Sequence, residues 1–171
     1  MKIKYNLTEN DYINFNICHM RNSKELRKTI RINRFLVSLI FLLMPFILYN
    51  ISDIPFLYWA ITFILVYILW VSLYEKYVYR INRKRIKRML EEKSNDGLIG
   101  ERVLEIDEEN IKITNNSGES KFYIKSVKHI IEDKEYIFIY INSVTAIIIP
   151  LEVFKDKEDK EKFKKLLNYG E

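Results

Sequence analysis

Glycine, cysteine and histidine are scarce in this chain, and each scarcity removes a class of chemistry. Four glycines, Gly97, Gly100, Gly118 and Gly170, are too few and too scattered for a phosphate-cradling loop of the Walker or dinucleotide type. No Gly-x-Ser-x-Gly nucleophile elbow is present either. One cysteine, Cys18, and two histidines, His19 and His129, fall short of a typical zinc site, and no Cys or His pair has ligand spacing. Cys18 and His19 are adjacent, but neighbours on a helix point about 100° apart, so they do not face each other as nucleophile and base. Asp107, Glu108 and Glu109 fall on a turn between strands, where solvated charge is the usual explanation. The pattern therefore points to no catalytic residue, no cofactor and no metal ligand.

Charge is also missing, in one place. Between Arg34 and Glu75 the chain carries a single charged side chain, Asp53. Forty residues in one helix would run about 60 Å, roughly twice the hydrocarbon thickness of a bilayer. The tract must therefore fold back, and Asn50, Ser52, Asp53 and Pro55 in "LYNISDIP" supply the break: Asn and Asp bond locally in turns, and Pro fits the first turn of a new helix. A cleaved leader is a poor alternative, because no small-residue cleavage pattern appears and a second apolar span follows at once. Tyr49, Phe56, Tyr58 and Trp59 lie near the tip, and Trp70, Tyr74, Tyr77 and Tyr79 near the other interface, where amphipathic rings prefer to sit. The tract has no glycine for a close helix–helix approach, and its spans lack the Asp, Glu, Lys, Arg or His that marks an ion route. The sequence thus specifies neither a homo-oligomer nor a transporter.

Lys24, Arg27, Lys28, Arg31 and Arg34 precede the tract; Lys76, Arg80, Arg83, Lys84, Arg85, Lys87, Arg88 and Lys93 follow it. The tip has no cation, so the positive-inside rule places both termini in the cytoplasm of a multi-pass inner-membrane protein. The sequence pI of about 9.1 is no argument for nucleic acid, because residues 94–171 carry 12 Lys or Arg against 16 Asp or Glu. The expected partners are the bilayer and another protein at the cytoplasmic face, with no nucleic acid. Asn50-Ile51-Ser52 matches a glycosylation sequon but lies almost at the membrane surface and is discounted.

Elsewhere periodicity sets the elements. "KIKYNLT" alternates as a half-buried strand, Thr8 and Asp11 form a helix-starting cap, and Tyr12, Phe15 and His19 line one face of an amphipathic helix. Burial of Ile3, Tyr5, Leu7, Tyr12 and Phe15 requires this segment to pack on the C-terminal domain. Asn22 or Ser23 starts a second helix running into the first span, where Pro45 removes one hydrogen bond. After the linker "SNDGLIG", six short apolar runs ("RVLEI", "IKIT", "SKFYI", "VKHII", "YIFIYI", "AIIIP") alternate with turn-rich gaps, which predicts an antiparallel meander. Asp156 caps a last helix whose stripe is Phe163, Leu166 and Leu167, with Glu158–Lys162 and Glu161–Lys165 as i,i+4 pairs.

The fold class is therefore an α+β membrane protein: a transmembrane helical hairpin plus a small antiparallel β domain, pleckstrin-homology-like (PH-like), capped by a C-terminal helix. Residues 1–33 are the N-terminal strand and helix; 34–75 the hairpin, with spans at about 35–51 and 54–74. Residues 76–94 are the basic extension and 95–171 the cytoplasmic domain.

"YNLTENDYINFNICHMRNS" before a two-helix hairpin, then "GLIGERVLEIDEENIKI" and "AIIIPLEVFKDKEDKEKFKKLL", resembles the YcxB-like family of bacterial membrane proteins over nearly the whole chain. The most specific matches are Asp11-Tyr12 with Phe15 and His19, Gly100-Glu101, and Pro150 with Phe154; Tyr123 stands where many members have tryptophan. The resemblance implies a bacterial inner-membrane location and a cytoplasmic domain related to PH-like modules, and it implies no enzyme. Tyr12, Phe15, His19, Pro150 and Phe154 are the candidates for interaction or domain docking. Arg31, Arg34, Lys76, Arg80, Arg83, Lys84 and Arg85 are the membrane-flanking cations. Two readings follow: a membrane-anchored interaction or scaffold module, or a surface sensor or enzyme acting on a lipid or small anionic ligand.

Overall fold

The structure is a computed structural model that describes residues 1–167. It contains β1 (Lys2–Leu7), α1 (Glu9–Asn22), α2 (Lys24–Tyr49), α3 (Phe56–Leu90), β2 (Gly100–Ile106), β3 (Asn110–Asn115), β4 (Gly118–Tyr123), β5 (His129–Glu132), β6 (Tyr136–Tyr140), β7 (Ala146–Pro150) and α4 (Lys157–Leu166). Two compact units result: Met1–Asn16 together with the chain from Ile86 onward, and Ile17–Arg85.

The first unit holds the seven strands found among the described residues. One sheet has the order β1-β2-β3-β4 and the other β5-β6-β7, and every pairing is antiparallel. The six runs read from the sequence all form strands, but the meander is divided between two sheets. The ladder stops after Tyr123, where Ile124–Ser126 makes a 3-10 turn that buries Ile124 and redirects the chain. Gly118, at φ 140°, follows the two-residue turn between β3 and β4 in a conformation that side chains resist.

Register explains the cores. Ile3 lies opposite Leu104, Leu104 opposite Ile113, and Ile106 opposite Ile111. Directly opposed residues share a face, so these five, with Tyr5 and Leu7, form one buried layer. The other face of that sheet carries Lys2–Glu105 and Lys112–Glu119 ion pairs. It is a half-wet antiparallel sheet, which is why β1 alternates.

The second sheet is different: every residue of β6 is buried. Ile137, Ile139, Ile147, Ile149 and Ile130 share one face, together with Glu132 opposite Ile137. Tyr136, Phe138, Tyr140, Ile148 and Pro150 share the other. Strands buried on both sides read as continuous apolar runs, as "YIFIY" and "IIIP" do.

The sheets are joined at their edges. The Tyr5 hydroxyl on β1 donates to the Ile148 carbonyl on β7 at 2.9 Å, and burial pushes its pKa up to about 12, against the opposing pull of Arg102.

The second unit contains α2 and most of α3, two helices long and apolar enough to cross a membrane, with windows of mean hydropathy 2.0 and 2.1. Ser23 caps α2, its hydroxyl accepting from the Leu26 amide. The helix then runs unbroken through the junction with the apolar tract and through Pro45. The turn falls at residues 50–55 as the break residues required, and Trp59 Nε1 donates to the Ser52 hydroxyl across it at 2.9 Å. Phe41 meets Trp70 edge-on at 5.5 Å, and Arg34 pairs with Glu75 at 3.9 Å, so α2 and α3 pack antiparallel.

Replacing Tyr5 by Phe strands the Ile148 carbonyl and removes the bond between the sheets. Denaturant unfolding should show a loss of about 1–2 kcal/mol.

Candidate functional site

Four of the five residues picked from the sequence as docking candidates fall in two places. Thr8 and Asp11 start α1 with a reciprocal cap: the Thr8 amide donates to Asp11 Oδ2 at 2.7 Å and the Asp11 amide to Thr8 Oγ1 at 3.3 Å. The second oxygen of Asp11 accepts from the Tyr136 hydroxyl at 2.8 Å, and Asn14 Nδ2 donates to that same hydroxyl at 3.1 Å. One turn on, Phe15 is buried against the rings of Phe138 and Tyr140, with centroids at 5.5 and 6.0 Å. Tyr12 packs edge-on against Phe15 at 6.3 Å. This is how α1 covers the aromatic face of β6. Burial raises the Tyr136 pKa, the Asn14 donor opposing and Asp11 reinforcing the shift. His19, further along α1, is half-buried and belongs to the other compact unit.

Pro150 and Phe154 belong to the second place. Pro150 ends β7 opposite Tyr136, buried, where its missing amide suits the last position of an edge strand. A 3-10 turn at Leu151–Val153 leads to Phe154, whose ring meets that of Phe163 on α4 at 5.1 Å. Asp156 caps α4, accepting from the Asp159 amide at 2.8 Å. Glu158–Lys162 pairs as expected at 3.0 Å, whereas Glu161 turns to Lys164 at 3.7 Å.

One ionic contact in the domain joins residues far apart along the chain. Glu132 at the end of β5 is held by Lys160 and by Lys164, the latter at 2.7 Å. These two cations hold its carboxyl below the usual carboxylate range, Lys160 contributing most. Lys160 and Lys164, four apart on α4, lie on one face of the helix, whereas their strand partner Glu132 is distant in sequence.

Open surface remains elsewhere. Strand β4 is an edge strand, exposed at all but Phe122, and Tyr123 at its end is 66% exposed. In the helical unit Arg31, Lys76, Arg80, Arg83, Lys84 and Arg85 are exposed, while Arg34 is half-buried by its pair with Glu75. Among the described residues no group of three His, Cys, Asp or Glu side chains could hold a metal ion.

Two outcomes follow for the domain. Asp11→Ala should lower stability by about 1–3 kcal/mol, losing the cap and the Tyr136 bond together; a double-mutant cycle with Tyr136→Phe should show positive coupling. Glu132 titrates lower folded than unfolded, so its stabilisation is present above the ordinary value of 4.5 and is lost as pH falls through the folded pKa. The difference in melting temperature between wild type and Glu132→Gln should therefore be large at neutral pH and vanish in acid.

No curated protein and no solved structure matches the chain. Residues 106–167, from the last residue of β2 to one residue past α4, match the family model described as YcxB-like protein, and over that stretch the chain is similar to this family; the motifs at Asp11-Tyr12, Phe15, His19 and Gly100-Glu101 lie outside the match.

Proposed function

We propose that this is a non-enzymatic, membrane-anchored module, in which an apolar hairpin crosses the inner membrane twice and holds a PH-like domain at the cytoplasmic face to bind another protein. The observation that carries the reading is connectivity. α2 and α3 lie between β1 and β2, which are hydrogen-bonded neighbours in one sheet. A chain that leaves a sheet, enters lipid and returns to the same sheet must cross an even number of times, and two helices of this length suffice.

Exposure supports the anchor. No residue of the apolar window in α3 is buried, and only 11% of that in α2 is. Surface of this kind requires lipid or protein around it. The ten cations between residues 24–34 and 76–85, against none at the tip, support an orientation with the hairpin's ends in the cytoplasm. The arrangement of four strands, three strands and a C-terminal helix supports the PH-like assignment. The open edge of β4 and the exposed Tyr123 are the surface best suited to receive a partner strand or side chain.

Tags at either end of the chain should resist protease added outside intact cells and be cleaved in inverted vesicles; external cleavage would overturn the topology. A photo-crosslinker at Lys121 on β4 should capture a discrete protein in cells, while one at Ile64 on α3 should not capture the same species. Identical products from both positions would remove the case for a recruiting domain.

A further inference from the structure

We propose that Lys76, Arg80 and Lys84, on α3 just past its apolar stretch, bind the headgroups of anionic phospholipids, and that the equally basic stripe on α2 does not. This rests on the membrane-anchored reading above and gives one of the two helices a specific ligand.

Residues 24–34 and 75–85 hold five cations each and only two acids, Glu25 and Glu75. The segments belong to one compact unit and meet at the Arg34–Glu75 pair, 3.9 Å apart. So much like charge on neighbouring helices is repulsive unless fixed anions lie close. Each helix gathers its cations into a line: Lys76, Arg80 and Lys84 at successive i,i+4 positions, and Lys24, Lys28 and Arg31 at i,i+4,i+7. All six side chains are exposed.

Helix polarity separates the two lines. Every Cα–Cβ bond tilts toward the helix N-terminus. The N-terminus of α3 is at the hairpin tip, so its cations lean back toward the apolar stretch. The N-terminus of α2 is at the far end, so its cations lean away.

At 1.5 Å per residue, Lys76, Arg80 and Lys84 lie about 3, 9 and 15 Å beyond Tyr74. Their long stems reach back along the helix and bring the charged ends to headgroup depth. Arg31, Lys28 and Lys24 lie about 6, 10 and 16 Å beyond Phe35 and reach outward instead. At physiological salt a charge more than about 8 Å from the headgroups gains little from them. Orientation of the hairpin during insertion does not distinguish the two lines, whereas lipid contact does.

The test uses the full chain, reconstituted in vesicles of three parts phosphatidylcholine to one part phosphatidylglycerol and recovered in polymer-bounded discs. The retained phosphatidylglycerol is compared with the bulk ratio for wild type, for K76Q/R80Q/K84Q and for K24Q/K28Q/R31Q. Wild type and the α2 variant should retain about threefold more than bulk, and the α3 variant should approach the bulk ratio. Wild-type enrichment should also fall at high salt, a check that needs no variant. No wild-type enrichment, or equal loss in both variants, overturns the proposal and leaves the anchor intact. Failure of the wild-type chain to float with the vesicles would overturn the anchored reading itself.

Discussion

The pairing of β1 with β2 is the constraint on which the rest depends. Leu7 faces Gly100 and Lys2 faces Glu105, with two long helices in between. Closing a loop of that length in a flexible chain costs entropy that grows with the logarithm of its size. The hairpin shortens the effective loop, because Arg34 and Glu75 already meet at its open end. Only the segments flanking the hairpin then remain to be ordered.

Once β1 is in register, α1 follows it directly, and a single residue between them fixes its start. Thr8 ends the strand and caps the helix with Asp11, whose other oxygen is spent on Tyr136. One carboxylate therefore sets both where α1 begins and which strand it covers. Phe15, buried against Phe138 and Tyr140, adds the apolar part of the contact. The opposite face of the same sheet is tied to α4 through Glu132 and its two lysines. The central strand β6 is consequently buried on both faces, although its sheet is antiparallel and small.

The candidate interaction residues divide on this basis. Tyr12, Phe15, Pro150 and Phe154 make contacts within the domain, joining α1 to β6 and β7 to α4. Their prominence in the sequence reflects the requirement to hold elements separated along the chain. The surface that stays open, β4 and the exposed cations of α3, has little to mark it in one dimension. "GESKFY" reads as a polar, ordinary strand, and a basic run beside an apolar tract reads as a topology signal.

What the sequence determined by itself was governed by local chemistry: the apolar tract and its break at Asn50–Pro55, the caps at Thr8 and Asp156, a helix start at Asn22 or Ser23, the six C-terminal strands, and the basic flanks. Each depends on residues within a few positions of one another, so periodicity, turn chemistry and hydropathy are enough. Tertiary structure alone decided that β1 is the first strand of the four-stranded sheet, that the ladder breaks at Ile124, and that Glu132 receives Lys160 and Lys164. Strand order and cross-element ion pairs join residues far apart along the chain, and nothing in local pattern records which distant partner will be met. The physical reason is that register is selected by the burial of whole faces, a property no single segment possesses.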